Sequence, residues 1–314
     1  MMCLLVFLSL CVAPADDRPM VLVVVGAEGT EDYGKQFRQW AQRWQTAAQR
    51  GNARFTAIGL DAPGETSDHD LLRRQVQEAA AVKSAEALWL VFIGHGTFDG
   101  KTARFNLRGP DVAAGELAAW LAASERPLAV INCASASGPF INELSGPNRV
   151  LVTATKSGFE HNFARFGDYL SAAIADPKAD LDKDEQTSLL EAFLSATAGV
   201  KEFYDSDARL ATEHALVDDN GDRLGTPADW FHGLRATKAA KDGAALDGLR
   251  AGQLQLVRSG NEQRLPIEVR RRRDEIEAAI ARLREQKGKL PEDDYYGQLE
   301  PLLLELARLY EQAR

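Results

Sequence analysis

Two side chains able to do nucleophilic chemistry stand at the ends of neighbouring apolar runs. In ALWLVFIGHGTFDG the run closes on Gly94-His95-Gly96, and in PLAVINCASASG it closes on Cys133. Glycines on both sides of His95 let the chain turn tightly and approach another group. A thiol of ordinary pKa is mostly protonated at neutral pH, and a nearby imidazole both lowers that pKa and returns a proton to a leaving amine. The backbone N–H groups of Cys133 and Gly96 could polarise a substrate carbonyl. Taken alone, each residue has a plainer reading, Cys133 as a small core residue and His95 as a turn residue bonded to backbone.

The elements that must position this pair follow from the apolar pattern. Strand-like runs recur at 20–26, 53–60, 87–94, 127–133 and 149–155, with helical patterns at 33–50, 68–82, 110–123, 160–175 and 187–203 between and after them. Near-continuous apolar strands alternating with helices mean a mostly parallel sheet sandwiched by helices. TARFNL, 102–107, suggests a small hairpin after the histidine turn. Sites in such sheets collect at the carboxyl ends of strands, so imidazole and thiol are expected on one sheet edge.

In that order and setting the residues resemble the legumain family of cysteine endopeptidases, relatives of caspases, gingipains and the glycosylphosphatidylinositol transamidase. The likeness rests on His95-Gly96, on Cys133-Ala134-Ser135-Ala136-Ser137, on Val152-Thr153-Ala154 and on Phe166-Gly167-Asp168-Tyr169, and it spans residues 19 to 203. It implies a caspase-like α/β fold and peptide-bond hydrolysis by a Cys133 thiolate activated by His95, with peptide or protein as substrate. No cofactor is implied for catalysis.

The departures carry information too. Asp32 stands where the family places an Asn that orients the histidine. The Arg and His of the substrate pocket fall at Gly34 and Lys35, and the acidic residue two before the nucleophile is Ile131. With Asp168 kept and its cationic neighbour lost, the resemblance implies a pocket preferring basic side chains, unless Lys35 swings to neutralise it. Two alternatives stay open. The same acyl-enzyme could be passed to an amine, making a transpeptidase or transamidase, or the departures could mark a catalytically inactive binding domain. His69, His161, His214 and His232 have no setting like that of His95.

DLDKDEQTSLLE, 180–191, places Asp180, Asp182, Asp184, Ser188 and Glu191 at positions 1, 3, 5, 9 and 12 of an EF-hand-type loop. Those oxygens suit Ca2+, although Glu185 occupies the usual glycine position, and an acidic helix N-terminus explains the same residues. DDNGDRLG, 218–225, repeats the alternation and reads as a turn.

Composition sets outer limits. The chain has 314 residues, 45% hydrophobic and 26% charged, with a formal net charge of -9 and pI near 5.2, which disfavours a nucleic-acid surface. Residues 1–15 carry no charge, hold CLLVFLSLCVA and close on Ala13-Pro14-Ala15, the pattern of a signal peptide. That predicts export, no membrane span in the mature chain, and Cys133 as its lone thiol. The α/β domain is placed at 19–235 and a helical extension at 236–314. In that extension Val269, Ile276, Ile280 and Leu283 face Leu299, Leu302, Leu306 and Leu309 as a helical hairpin. The Arg270 to Arg273 run, flanked by acids, reads as a solvated helix face.

Overall fold

Val, Leu, Ile and Phe fill the first strands so completely that both of their faces must be covered, and a computed structural model describing residues 17–312 shows how. Segment 1–15, which the sequence pattern suggests is a signal peptide, lies outside the described residues. Strands β1 (Met20–Val25), β2 (Arg54–Ile58) and β3 (Leu88–Ile93) alternate with helices α1 (Glu31–Arg50) and α2 (Asp68–Ala81). A small antiparallel sheet follows, made of β4 (Gly96–Phe98), β5 (Ala103–Phe105) and β6 (Val112–Ala113), and leads into α3 (Ala114–Trp120). Next come β7 (Leu128–Asn132), α4 (Pro139–Leu144), β8 (Arg149–Thr153), α5 (Phe166–Ala173) and α6 (Leu189–Ser206). Strands β9 (Leu216–Asp218) and β10 (Thr226–Pro227) complete the main sheet, and β11 (Phe231–His232) pairs with β12 (Arg235–Ala236).

The seven-stranded sheet runs β10-β9-β8-β7-β3-β1-β2, parallel from β8 to β2, with β9 and β10 antiparallel at one edge. This is the mostly parallel sheet between helices that the apolar pattern predicts. Strand alternation divides the core into two layers. Val23, Val91, Ile131 and Cys133 point toward α1, α5 and α6, whereas Val24, Leu90, Phe92, Val130 and Ala134 point toward α2, α3 and α4.

Helix starts follow local chemistry. Thr30 caps α1, with Glu31 and Asp32 in its first turn favoured by the helix dipole. Ser188 and Glu191 form a capping box at α6.

The tract 236–264 holds α7 (Leu249–Gly252) and α8 (Gly260–Arg264), and it inserts into the α/β core. Ala251 and Leu256 are buried with the α1 layer, and Leu254 O accepts the Leu189 N–H at 2.8 Å. The boundary placed at residue 235 therefore cuts through a continuous core. Helices α9 (Ile267–Glu285) and α10 (Glu292–Gln312) form the antiparallel hairpin, burying Ile276, Ile280, Leu283 and Tyr295. The Arg270 to Arg273 run is only half solvated. Arg270 joins Arg258 on the buried Glu86, each at 2.9 Å, and Arg273 pairs with Glu262 at 2.6 Å. No described helix is long and apolar enough to cross a membrane.

Candidate active site

Beyond Ile93 the chain leaves the sheet, and His95 turns its ring into an aromatic cage on the α1 side. Ring centroids of Tyr33, Phe37 and Phe163 lie 5.0, 5.3 and 5.9 Å away. The ring Nε2 lies 3.3 Å from the carbonyl oxygen of Glu28. An N–H there donates to that carbonyl, leaving Nδ1 as the unprotonated nitrogen. The β1–α1 loop turns here through Gly29 at φ +69°, a left-handed conformation that glycine adopts without strain. Burial lowers the imidazole pKa, partly countered by the Glu28 carbonyl, which favours the neutral ring a base requires.

The orienting role read for Asp32 passes to this main-chain carbonyl. The Asp32 side chain is 88% exposed in the first turn of α1, 3.6 Å from Lys35. Gly34 faces inward, where a Cβ would meet the Glu28 carboxylate.

Cys133 is placed otherwise than the sequence suggests. It is 1% exposed and packs where Gly167 and Trp40 close over it, a Cβ on Gly167 standing 2.8 Å from Cys133 Cβ. Burial, then the Glu213 carboxylate, pushes the thiol well above its ordinary pKa, the reverse of an activated nucleophile. Its N–H is also spent, donating to Phe92 O at 2.9 Å as the ladder's last bond, so it does not offer itself to a substrate carbonyl.

Strand register explains the difference. Phe92 is paired with Asn132. His95 lies three residues beyond Phe92, and three residues beyond Asn132 lies Ser135. Cys133 sits two residues lower, roughly 7 Å along a strand. The structure accordingly sets Ser135 on the histidine turn: its Oγ accepts the Gly96 N–H at 3.2 Å and donates to Gly96 O at 3.2 Å. Any side chain at Gly96 would collide with Ser135 O, 2.2 Å from an added Cβ.

The turn carrying Ser135 is clamped. Ala136, at φ +53°, donates its N–H to Glu160 O at 2.8 Å, and Ser137 Oγ meets Thr155 Oγ1 at 3.1 Å. Gly138 completes the clamp by donating to Thr155 Oγ1 at 3.0 Å.

The proposed specificity residues do not assemble into an anionic pocket. Ile131 is wholly buried within β7. Asp168 is answered by Arg43, whose Nη1 lies 2.6 Å from its carboxylate, while Lys35 is held at 2.9 Å by Glu31. Of the other histidines, His69 pairs with Glu116 at 3.0 Å and His214 with Glu160 at 2.5 Å.

In the 180–191 loop the carboxylates of Asp180, Asp182 and Asp184 converge within 4.8 Å. Desolvation, then the neighbouring acids, raises the pKa values of Asp182 and Asp184. Glu191 is committed to hydrogen bonds, accepting from Leu181 N at 2.7 Å through Oε1 and from Ser188 N at 2.7 Å through Oε2.

No family model matches the chain, and no curated protein matches it. Among solved structures it is similar to the Drosophila initiator caspase Dronc, at 11% identity over 67% of this chain and 82% of that chain, TM-score 0.41. Caspase-1 from Spodoptera frugiperda shows 8% identity over 64% and 86%, TM-score 0.42. Chaetomium thermophilum Raptor shows 12% over 51% and 17%, TM-score 0.34. The likeness is weak, and the fold class stands on the strand order and pairing of this chain itself.

Proposed function

We propose that this chain is a protease-type hydrolase of peptide bonds, acting by acyl transfer at the His95–Gly96 turn with Ser135 as the attacking group. The observation that carries the reading is the seat of the Ser135 hydroxyl on both backbone groups of Gly96, level with a neutral imidazole. A substrate carbonyl drawn to the Gly96 N–H displaces the hydroxyl, which rotates toward His95 Nδ1. Nδ1 takes the hydroxyl proton as Oγ attacks the carbonyl carbon, and the Gly96 N–H stabilises the oxyanion. The imidazolium then protonates the leaving amine. Water, deprotonated by the same nitrogen, releases the acyl group and restores Ser135.

Export, supported by residues 1–15, and calcium on Asp180, Asp182 and Asp184, supported by their convergence, belong to the same reading. Calcium there would steady the start of α6 and take no part in catalysis.

The test is active-site labelling. A fluorophosphonate should label the wild type and Cys133→Ala but not Ser135→Ala. An acyloxymethyl ketone that labels the wild type and fails on Cys133→Ala would return the nucleophile to the thiol.

One observation favours a second reading, a silent peptide-binding domain. Ser135 is 4% exposed, and its hydroxyl already donates to Gly96 O rather than to the ring. Peptide binding with neither probe reacting would establish that reading.

A further inference from the structure

The turn after β9 shares its backbone with the 180–191 loop. Asp218, Asn220 and Asp222 alternate as Asp180, Asp182 and Asp184 do, and the fourth and sixth residues are left-handed in both. Those φ values are +82° at Gly221 and +71° at Arg223, against +65° at Lys183 and +72° at Glu185. The internal bonds repeat as well. Gly221 N donates to Asp218 Oδ1 at 3.1 Å, Asp222 N to Asn220 Oδ1 at 2.8 Å, and Leu224 N to Asp222 Oδ1 at 2.8 Å. Their counterparts are Lys183 N to Asp180 Oδ1, Asp184 N to Asp182 Oδ1 and Gln186 N to Asp184 Oδ1.

A shared turn would be no more than a turn, but Asp218 adds an independent fact. The residue is 1% exposed, and its Oδ2 is buried with no hydrogen-bond partner. Because Oδ1 holds Gly221 N, the carboxylate faces the inside of the loop. Ser145, whose Oγ accepts Arg223 N at 3.1 Å, places a neutral hydroxyl beside that carboxylate, and among the described residues no basic side chain forms an ion pair with Asp218.

The surroundings deepen the deficit of positive charge. Asp219 and Asp247 are buried next to it. Asp219 is held by the N–H groups of Gly248 and Ala251, at 2.9 and 2.8 Å. Asp247 is held by the N–H groups of Asp219 and Asn220 and by the Thr226 hydroxyl. Buried carboxylates are tolerated when paired or bound to a cation; Asp219 and Asp247 are satisfied by amides, a hydroxyl and each other, whereas Asp218 Oδ2 is not. The Asn220 amide is oriented by its Nδ2, which donates to Ala245 O at 2.8 Å and leaves Oδ1 on the loop side.

We infer that Asp218–Asp229 is a divalent-cation loop of the calcium class. Asp218 Oδ2, Asn220 Oδ1, the Asp222 carboxylate and the Leu224 carbonyl supply the ligands, and Asp229 stands at the twelfth position. An all-oxygen set mixing carboxylate, amide and carbonyl suits the flexible coordination of calcium better than the small octahedron of magnesium. The ion would fasten the β9–β10 edge to α4, because Asn142 Nδ2 donates to Arg223 O at 2.8 Å. This inference does not depend on the acyl-transfer reading.

The experiment is calcium titration calorimetry on the chelator-treated full chain. Asp182→Asn with Asp184→Asn disables the first loop and should leave one calcium bound per chain. Adding either Asp222→Asn, at a partly exposed residue, or the isosteric Asp218→Asn should weaken that remaining binding at least tenfold. Each variant's thermal midpoint in chelator checks that it is folded. No binding by the first-loop variant, or binding that a folded Asp222→Asn leaves unchanged, would overturn the inference.

Discussion

Arg43 Nη1 bonds the carboxylate of Asp168 at 2.6 Å, its main-chain oxygen at 2.9 Å and Ser171 Oγ at 3.2 Å, tying α1 to α5. The negative charge that a basic substrate side chain would have met is thus already answered within the fold. A positional peptide library is expected to show no enrichment of Lys or Arg at the cleaved residue. Arg43→Met should raise basic preference a few-fold and lower stability by about 1 kcal/mol, modest because both side chains are partly exposed. Strong basic preference in the wild type would contradict this pairing in solution.

Ser135→Ala is expected to lower kcat/KM on the order of a thousand-fold with the melting curve little changed, since it removes the attacking atom. Cys133→Ala should keep at least half the activity and lose about 1 kcal/mol of stability, the cost of a small cavity. An aromatic disulfide reagent should modify Cys133 only as fast as the chain unfolds. Rapid modification of the native protein would show that the thiol is presented after all.

The pH profile follows from the cage around His95. Burial depresses its pKa below the ordinary 6.5, so the base form persists into mildly acidic solution. The acid limb of kcat/KM should therefore have its midpoint below 6.5. Gly29→Ala strains a left-handed residue by about 1–2 kcal/mol and shifts the Glu28 carbonyl. Because that carbonyl raises the histidine's pKa, loosening it should move the midpoint lower still. An upward move would contradict the assigned hydrogen bond.

Glu86 offers a stability test. Burial alone would raise its pKa, but Arg258 and Arg270 outweigh burial and hold it below 4.5. A carboxyl with a depressed folded pKa contributes stability that is present above its unfolded pKa, near 4.5, and lost as pH falls through the folded value. Glu86→Ala leaves two inward-facing guanidinium groups without their partner and should cost about 3–5 kcal/mol at neutral pH. The penalty should shrink below pH 4.5, measured by urea unfolding at each pH.

For the 180–191 loop, excess calcium should raise the thermal midpoint relative to chelator, because a ligand bound only by the native state stabilises it by mass action. Asp184→Asn should reduce that rise. Equal midpoints with calcium and with chelator would remove the ion from this loop.

Four of the five parallel strands were legible because buried strands must be apolar on both faces, and the half-buried β2 showed as a short apolar run. Their ends moved by a residue or two, as at 53–60, which shortens to Arg54–Ile58. Helix 160–175 shrinks to Phe166–Ala173 because the preceding stretch is taken up in clamping the Ser135 turn. His95 could be found from its flanking glycines. Ser135 could not, since two strands apolar throughout can slide past each other by two residues without changing which faces are apolar. Only the Phe92–Asn132 pairing distinguishes position 133 from 135. The Glu28 carbonyl was invisible for another reason: every residue has one, so a main-chain acceptor leaves no trace in residue type. Arg43 went unnoticed because its partner lies 125 positions away.

The insertion of residues 249–256 into the α/β core also bears on biosynthesis. Trp89 and Val150 line a cleft with Leu254, and Leu256 is buried in the layer that holds Trp89. On a ribosome the five parallel strands emerge well before that covering segment exists, and Glu86 waits for arginines 172 and 184 residues downstream. Contacts of such long sequence separation form slowly and leave apolar surface open meanwhile. The nascent chain should therefore remain sensitive to proteases, and dependent on holding by a chaperone, until its last quarter has been translated.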